Sequence, residues 1–313
     1  MEPKSDVDFQ VIDKRRTQHA EGPGPRRPIP SCSRAHSVLL AYCSEDLARS
    51  FLESKGTPPE LLDQMMKERE RAKARLQTLP PLDDSPAARP LKGSAVLAEI
   101  DRVMRQPECQ AAYPEGSWSA GLVEISKIVP LQPNLDVAYA EGLGGPDLDV
   151  RNLLSAVKLC FAEKHPKEFQ VQAHESQKAI SVSGINPSLE VVGLSYKQQE
   201  ANGPLMVSFF ISATPHIAAV FRYAGRHFLL NGLHRVYKLM NAGFTHLPCV
   251  IREAKTLEQA ARSGRAFFPE SVLTAPRPPL VPDFADPVLG LIVPFQAVHR
   301  VVRIRPDEYF VPE

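Results

Sequence analysis

The feature that most constrains the fold is a short hairpin followed by a glycine turn and a helix. Residues 220–223 and 227–230 read as two strands, and Gly225 between them can supply the positive φ of a tight turn. The second strand runs into Asn231-Gly232-Leu233-His234-Arg235, after which apolar residues follow helical spacing. Residues 247–251 then read as another strand. This order predicts an α+β domain with a strand-to-helix turn.

The glycine turn has the composition of an anion site. Gly232 lets the backbone approach a ligand, and the first N–H groups of the helix, from Leu233 onward, are expected to point outward. His234 adds a titratable donor, and Arg235 adds a fixed positive charge with planar geometry. Asn231 is expected to fix the turn through bonds to its own backbone. We therefore predict that residues 231–235 bind a phosphate.

The arrangement of residues 221–235, followed by a helix and the strand at 247–251, resembles the central motif of ParB-like and sulfiredoxin-like domains. The strand ending at Pro130 is similar to the segment that opens such domains. The resemblance implies a mixed sheet with packed helices and a turn that binds nucleotide phosphates, with ATP or CTP and Mg²⁺ as candidate ligands. Leu233 stands where sulfiredoxins have their reactive cysteine, so sulfinic-acid reduction is not expected. No helix-turn-helix pattern follows, in contrast to chromosome-partitioning ParB proteins.

Phosphoryl chemistry at such a turn would need an acid or a base. In similar domains the opening strand and the loop after it lie near the phosphate turn. Glu124, Asp136 and Glu141 are the carboxylates of that region, and spacing selects none of them. We take Glu124, with His234 and Arg235, as the candidate catalytic set. No pattern of metal ligands is present in the sequence.

Composition divides the chain into four expected parts. Residues 1–40 are predicted to be flexible, since proline, glycine and charge dominate there. Residues 41–117 carry three helical patterns and form a helical extension. Residues 118–255 form the ParB/sulfiredoxin-like core, in which 164–215 is rich in strand patterns. Residues 256–313 form a proline-rich C-terminal extension with a terminal strand.

Charge and cysteine usage limit the class of protein. A formal net charge of +1 gives no field that would attract nucleic acid, so a nucleic-acid partner is not favoured. Five scattered cysteines without a close pair argue against a disulfide framework and against a zinc site. The absence of a signal peptide and of a long apolar run predicts a cytoplasmic protein without a membrane partner.

Three functions are compatible with the sequence. The first is a nucleotide- or phosphate-binding protein that hydrolyses nucleotide or transfers phosphate. The alternatives are a non-catalytic regulatory or interaction module, favoured by the absence of a clear catalytic carboxylate, and a nucleic-acid-binding ParB-like nuclease. The sequence leaves open whether the protein is an enzyme, and it names no protein partner.

Overall fold

A computed structural model describes residues 33–83, 85–143, 148–162, 170–184, 189–198, 203, 205–212, 217–258, 266–296 and 300–306. The chain divides into two compact units. The larger is built from Ser31–Glu163 and Pro215–Ala297, and the smaller includes Lys164–Thr214 and Val298–Glu313. Each unit is described by itself. Within the described residues, no helix is long and apolar enough to cross a membrane.

Eight α-helices are described, and all belong to the larger unit. They are α1 (Glu45–Ser54), α2 (Pro59–Gln77), α3 (Ser94–Met104), α4 (Pro107–Ala112), α5 (Val137–Gly142), α6 (Leu153–Cys160), α7 (Leu233–Asn241) and α8 (Glu270–Leu273). Local signals explain their ends. Ser44 caps α1 by accepting from the Leu47 amide at 3.2 Å, and Pro59 opens α2 at a position where its missing N–H costs nothing. The three helical patterns predicted within residues 41–117 are confirmed as α1, α2 and α3.

Nine strands of the larger unit form two sheets. They are β1 (Ser33–Val38), β2 (Ala88–Pro90), β3 (Ser119–Glu124), β4 (Ile128–Pro130), β5 (Asn134–Asp136), β10 (Ala219–Tyr223), β11 (Arg226–Asn231), β12 (His246–Glu253) and β13 (Leu291–Gln296). The main sheet is mixed, with the order β2-β3-β12-β10-β11-β4. The strand pairs β12/β10 and β11/β4 are parallel, and the others are antiparallel. The α+β class is confirmed.

The second sheet of the larger unit shows that the predicted flexible segment, residues 1–40, extends too far along the chain. Strand β1 lies in its centre, antiparallel to both β13 and β5, so flexibility does not extend to residue 40. Val38 is fully buried. The pairing also places the part of the C-terminal extension that contains β13 in the same unit, since Val38 faces Leu291. Sequence analysis missed this because the partners of β1 lie about 100 and 250 residues later in the chain.

A buried polar network anchors the segment before β13. The Asp283 carboxylate accepts from the Tyr42 hydroxyl at 2.6 Å and forms an ion pair with Arg277 at 2.5 Å. It also accepts from the Leu280 amide at 2.8 Å. Asp283 is almost completely buried, so these donors replace the water that its charge would otherwise require.

The core of the larger unit lies around the main sheet. Phe221 of β10 and Phe228 of β11 are fully buried and stack with ring centroids 5.1 Å apart. These residues belong to the hairpin that the sequence predicted, and its turn has positive φ at both Ala224 and Gly225. The hairpin holds the start of α7 at the edge of a rigid sheet.

The described residues of the smaller unit form strands, apart from a 3-10 turn at Glu175–Gln177. The strands are β6 (Gln170–His174), β7 (Ala179–Gly184), β8 (Glu190–Gln198), β9 (Leu205–Ser212) and β14 (Arg300–Ile304). They form an antiparallel sheet of order β14-β7-β6 and a separate ribbon of β8 and β9. The β-rich region and the terminal strand are confirmed, but 164–214 is separate from the expected 118–255 core.

Candidate functional site

The start of α7 has the backbone geometry expected for an anion site. Gly232 is in the left-handed region with φ of +105°, and no side chain caps the helix there. The first intrahelical bond runs from the Val236 amide to the Gly232 carbonyl at 2.9 Å. The amides of Leu233 and His234 therefore have no partner within the helix. The partial positive charge of a helix N-terminus adds to the attraction for an anion.

Packing is a second reason why position 232 requires glycine. A Cβ atom placed there would lie 3.2 Å from the Cα atom of Ala218, and the backbone would be strained at that φ. Ala218 directly precedes β10, which pairs with the end of β11. The glycine is thus needed to pass the chain from the sheet into the helix.

Arg235 does not face an anion, and this part of the expectation is wrong. The residue is 7% exposed, and its Nη1 atom donates to the Cys160 carbonyl at 3.1 Å. The guanidinium therefore stabilises the C-terminal end of α6, where helix carbonyls lack intrahelical donors. The fixed positive charge that the sequence argument assigned to the phosphate is used inside the fold.

Asn231 and Leu233 also serve the fold. The Asn231 side-chain amide donates to the Ile217 carbonyl at 3.0 Å, so it links the end of β11 to the chain before β10 instead of closing its own turn. Leu233 is buried in the core below α7. Among the side chains of 231–235, His234 alone keeps a role at the predicted site.

His234 is held in one tautomer by the backbone. Its Nε2 atom accepts from the Asp136 amide at 3.2 Å, and the Tyr139 ring packs edge-on at 4.9 Å. Burial lowers the pKa of His234 to about 4, although the nearby Asp136 carboxylate opposes that shift. The neutral ring therefore carries its proton on Nδ1. Among the described residues, no acceptor is found for that proton.

Arg34 and His36 of β1 lie beside Asp136 and complete a cluster with His234. The sequence did not predict a role for either residue. The Arg34 Nη1 atom pairs with the Asp136 carboxylate at 3.2 Å and leaves the rest of a half-exposed guanidinium accessible. His36 Nδ1 lies 3.2 Å from the Asn134 side-chain amide, and burial lowers the His36 pKa. The register aligns His36 with Asp136 across β1 and β5. The sequence signal for these two residues is their spacing, because residues two apart in a strand lie on the same face.

The three candidate carboxylates are placed differently. Asp136 caps α5 by accepting from the Tyr139 amide at 2.9 Å, beside His234. The backbone carbonyl of Glu141 accepts from Lys238 of α7 at 2.7 Å. The structure therefore brings the loop after the opening strand to α7, as expected.

Glu124 is not part of this cluster. It ends β3, which is separated from β11 by two strands, a lateral distance of about 14 Å at the usual strand spacing. Its carboxylate accepts from Ser126 at 2.5 Å and lies 3.7 Å from the Lys127 ammonium. Its assignment to the catalytic set with His234 is wrong, since Glu124 ends β3 whereas His234 lies at the start of α7, which follows β11.

Two further polar residues of the core, Cys249 and His227, are buried in strands of the main sheet. Cys249 is fully buried in β12, and burial raises the pKa of its thiol well above the usual value. His227 is buried in β11, and burial lowers its pKa. The described residues contain no group of three or more His, Cys, Asp or Glu side chains that could hold a metal ion.

Comparisons with family models, with curated proteins and with solved structures each gave no match. The candidate site is therefore defined by geometry alone, as the cluster formed by the start of α7, Asp136 and Arg34.

Proposed function

We propose that this protein binds a nucleotide through its phosphates at the start of α7. The observation that carries the proposal is the uncapped helix N-terminus at Gly232, next to a neutral His234 whose Nδ1 proton has no acceptor among the described residues. The Leu233 and His234 amides and the imidazole would supply three donors to phosphate oxygens. This site does not use Arg235.

Arg34 would provide the guanidinium donors that Arg235 does not. One nitrogen of its guanidinium forms an ion pair with the Asp136 carboxylate, and the Asp136 backbone amide donates to His234. The remaining N–H groups of Arg34 can reach a second phosphate oxygen, since the fork of an arginine suits bidentate binding. The same ion pair neutralises Asp136, whose carboxylate would otherwise repel the ligand. A triphosphate with Mg²⁺ bound to its own oxygens is the ligand class that we favour, with ATP and CTP as first candidates.

Isothermal titration tests the proposal with ATP, CTP, GTP and ADP, each with and without Mg²⁺. The wild-type protein is expected to bind at least one of them. Replacing Arg34 by Ala should weaken binding at least about tenfold, which corresponds to the 1.5–3 kcal/mol typical of a charged hydrogen bond.

Arg222→Ala is the matched control for Arg34→Ala. Arg222 is also a half-exposed strand arginine paired with a carboxylate, Glu253 at 3.0 Å, but it lies at the far end of β10. Its replacement should leave nucleotide affinity unchanged. Failure of all four nucleotides to bind, or equal affinity of the Arg34 and Arg222 variants, would remove the proposal.

Turnover separates an enzyme from the non-catalytic alternative. Asp136 is the carboxylate nearest His234, so hydrolysis at this site would place these two residues beside the phosphate. Phosphate release that His234→Gln abolishes would support an enzyme. Saturable binding without release would support a regulatory nucleotide-binding module.

A further inference from the structure

The β8–β9 ribbon concentrates the exposed apolar surface of the described chain. Six of the thirteen large apolar side chains that the described residues expose lie in its 17 positions. They are Tyr196, Leu205, Met206, Val207, Phe209 and Phe210. Ribbons of two strands are marginally stable by themselves in water, so an uncovered apolar ribbon needs a partner.

The apolar residues are sorted between the two faces of the ribbon. Directly opposite residues share a face, and the register aligns Tyr196 with Val207 and Leu194 with Phe209. With the alternation along β9, one face comprises Val191, Leu194, Tyr196, Gln198, Leu205, Val207, Phe209 and Ile211, which we call the ribbon face.

The opposite face carries more polar residues, and part of it is covered by a side chain of the same ribbon. Ser195 lies opposite Ser208, and Lys197 lies opposite Met206. Phe210 lies opposite Gly193, where an added Cβ would be 3.5 Å from its ring, so this phenylalanine packs over the glycine of its own ribbon. The ribbon is therefore amphipathic, and the ribbon face, on which Gln198 is the one polar residue among the paired positions, is the more apolar of the two.

We propose that the ribbon face is a dimer interface that binds the same face of a second copy of this chain. The face carries no acidic or basic side chain, so it offers nothing to a charged partner such as nucleic acid. A two-fold axis places the same apolar residues against themselves, which is the commonest form of soluble oligomer. The net charge of +1 produces no repulsion between copies.

The exposed area sets the expected strength. Tyr196 is 64% exposed and Leu205 57%, with Val207 and Phe209 close to one half. With roughly 150–250 Å² for each aromatic side chain and less for each aliphatic one, the ribbon face leaves about 500 Å² per copy to be buried. Two copies together bury about 1,000 Å², the lower limit of specific interfaces. We therefore expect a weak dimer that dissociates on dilution within the micromolar range.

Adjacent phenylalanines provide the matched pair for the test. Phe209 and Phe210 are each 45% exposed, but they point to opposite faces of β9. Sedimentation equilibrium of the full chain from about 0.5 to 100 μM should show a monomer–dimer transition for the wild type. Phe209→Glu should shift the dissociation constant upward at least tenfold, and Phe210→Glu should shift it much less.

A second variant protects the test against misfolding. The double replacement Val207→Thr and Phe209→Thr removes apolar surface but keeps β-branched residues that favour a strand. It should be monomeric over the same range, with an unchanged circular dichroism spectrum.

A wild-type chain that stays monomeric to 100 μM would overturn the proposal, as would equal effects of the two glutamate substitutions. Binding of the monomer to neutral phosphatidylcholine vesicles through Phe209, without self-association, would overturn it in favour of a lipid surface. Because these readouts do not involve nucleotide, they are independent of the proposed phosphate site.

Discussion

The neutral state of His234 makes a sharp prediction about acid sensitivity. The folded pKa is about 4, whereas an exposed histidine in the unfolded chain titrates near about 6.5. The unfolded chain therefore takes up the proton first as the pH falls. The stabilisation from His234 is fully present above about pH 6.5 and is lost progressively between pH 6.5 and pH 4.

The size of the effect follows from the two pKa values. Linkage gives a loss of about 2 kcal/mol between pH 8 and pH 5, and about 3 kcal/mol once the pH is below the folded pKa. His36, His227 and His246 also have pKa values lowered mainly by burial, so the wild type alone would report their sum. A variant that lacks only the His234 titration is needed.

His234→Gln serves this purpose because the glutamine carbonyl can still accept a hydrogen bond but does not titrate. Urea unfolding followed by circular dichroism at pH 8 and pH 5 gives the free energy of unfolding of both proteins. The difference between wild type and variant should fall by about 2 kcal/mol on acidification. A difference that is the same at both pH values would refute the buried, neutral histidine.

Three further predictions concern stability in urea at neutral pH. Arg235→Met should cost about 1–3 kcal/mol, since the Cys160 carbonyl loses a buried donor, and it should leave nucleotide affinity unchanged; weaker binding by a folded variant would contradict the inward placement. Gly232→Ala should cost clearly more than Gly243→Ala, because both have positive φ but only the first would crowd backbone atoms; equal losses, of about 1–2 kcal/mol, would argue against that contact. Asp283→Ala should cost about 2–3 kcal/mol, because the partly buried Arg277 guanidinium and the buried Tyr42 hydroxyl lose their acceptor, and a loss below about 1 kcal/mol would contradict the network.

Local signals were sufficient for the elements around the site. Glycine in a left-handed turn, the hairpin before it and the apolar spacing of α7 are all encoded within residues 220–243, and the structure has them as predicted. The orientation of Arg235 could not be read in this way. Its acceptor is the Cys160 carbonyl, 75 residues earlier, and a helical pattern does not reveal which charged side chain finds a buried partner.

The same limit explains why Arg34 and His36 were missed. Strand β1 has six residues, of which the first three are exposed, so its own apolar pattern is weak. Its stability comes from pairing with β5 and β13, which are remote in sequence. Non-local pairing also explains why the prediction for Glu124 was wrong. Spacing along the chain does not show that two strands separate β3 from β11.

Phosphate binding by the backbone at the start of α7 can be tested at the proposed donors themselves. Amide chemical shifts of the ²H,¹⁵N-labelled full chain are recorded during titration with ATP or CTP and Mg²⁺. We expect the Leu233 and His234 amide signals and the Arg34 side-chain signal to shift together with one dissociation constant. Saturable nucleotide binding that leaves these three signals unmoved, or no binding of either nucleotide, would contradict it.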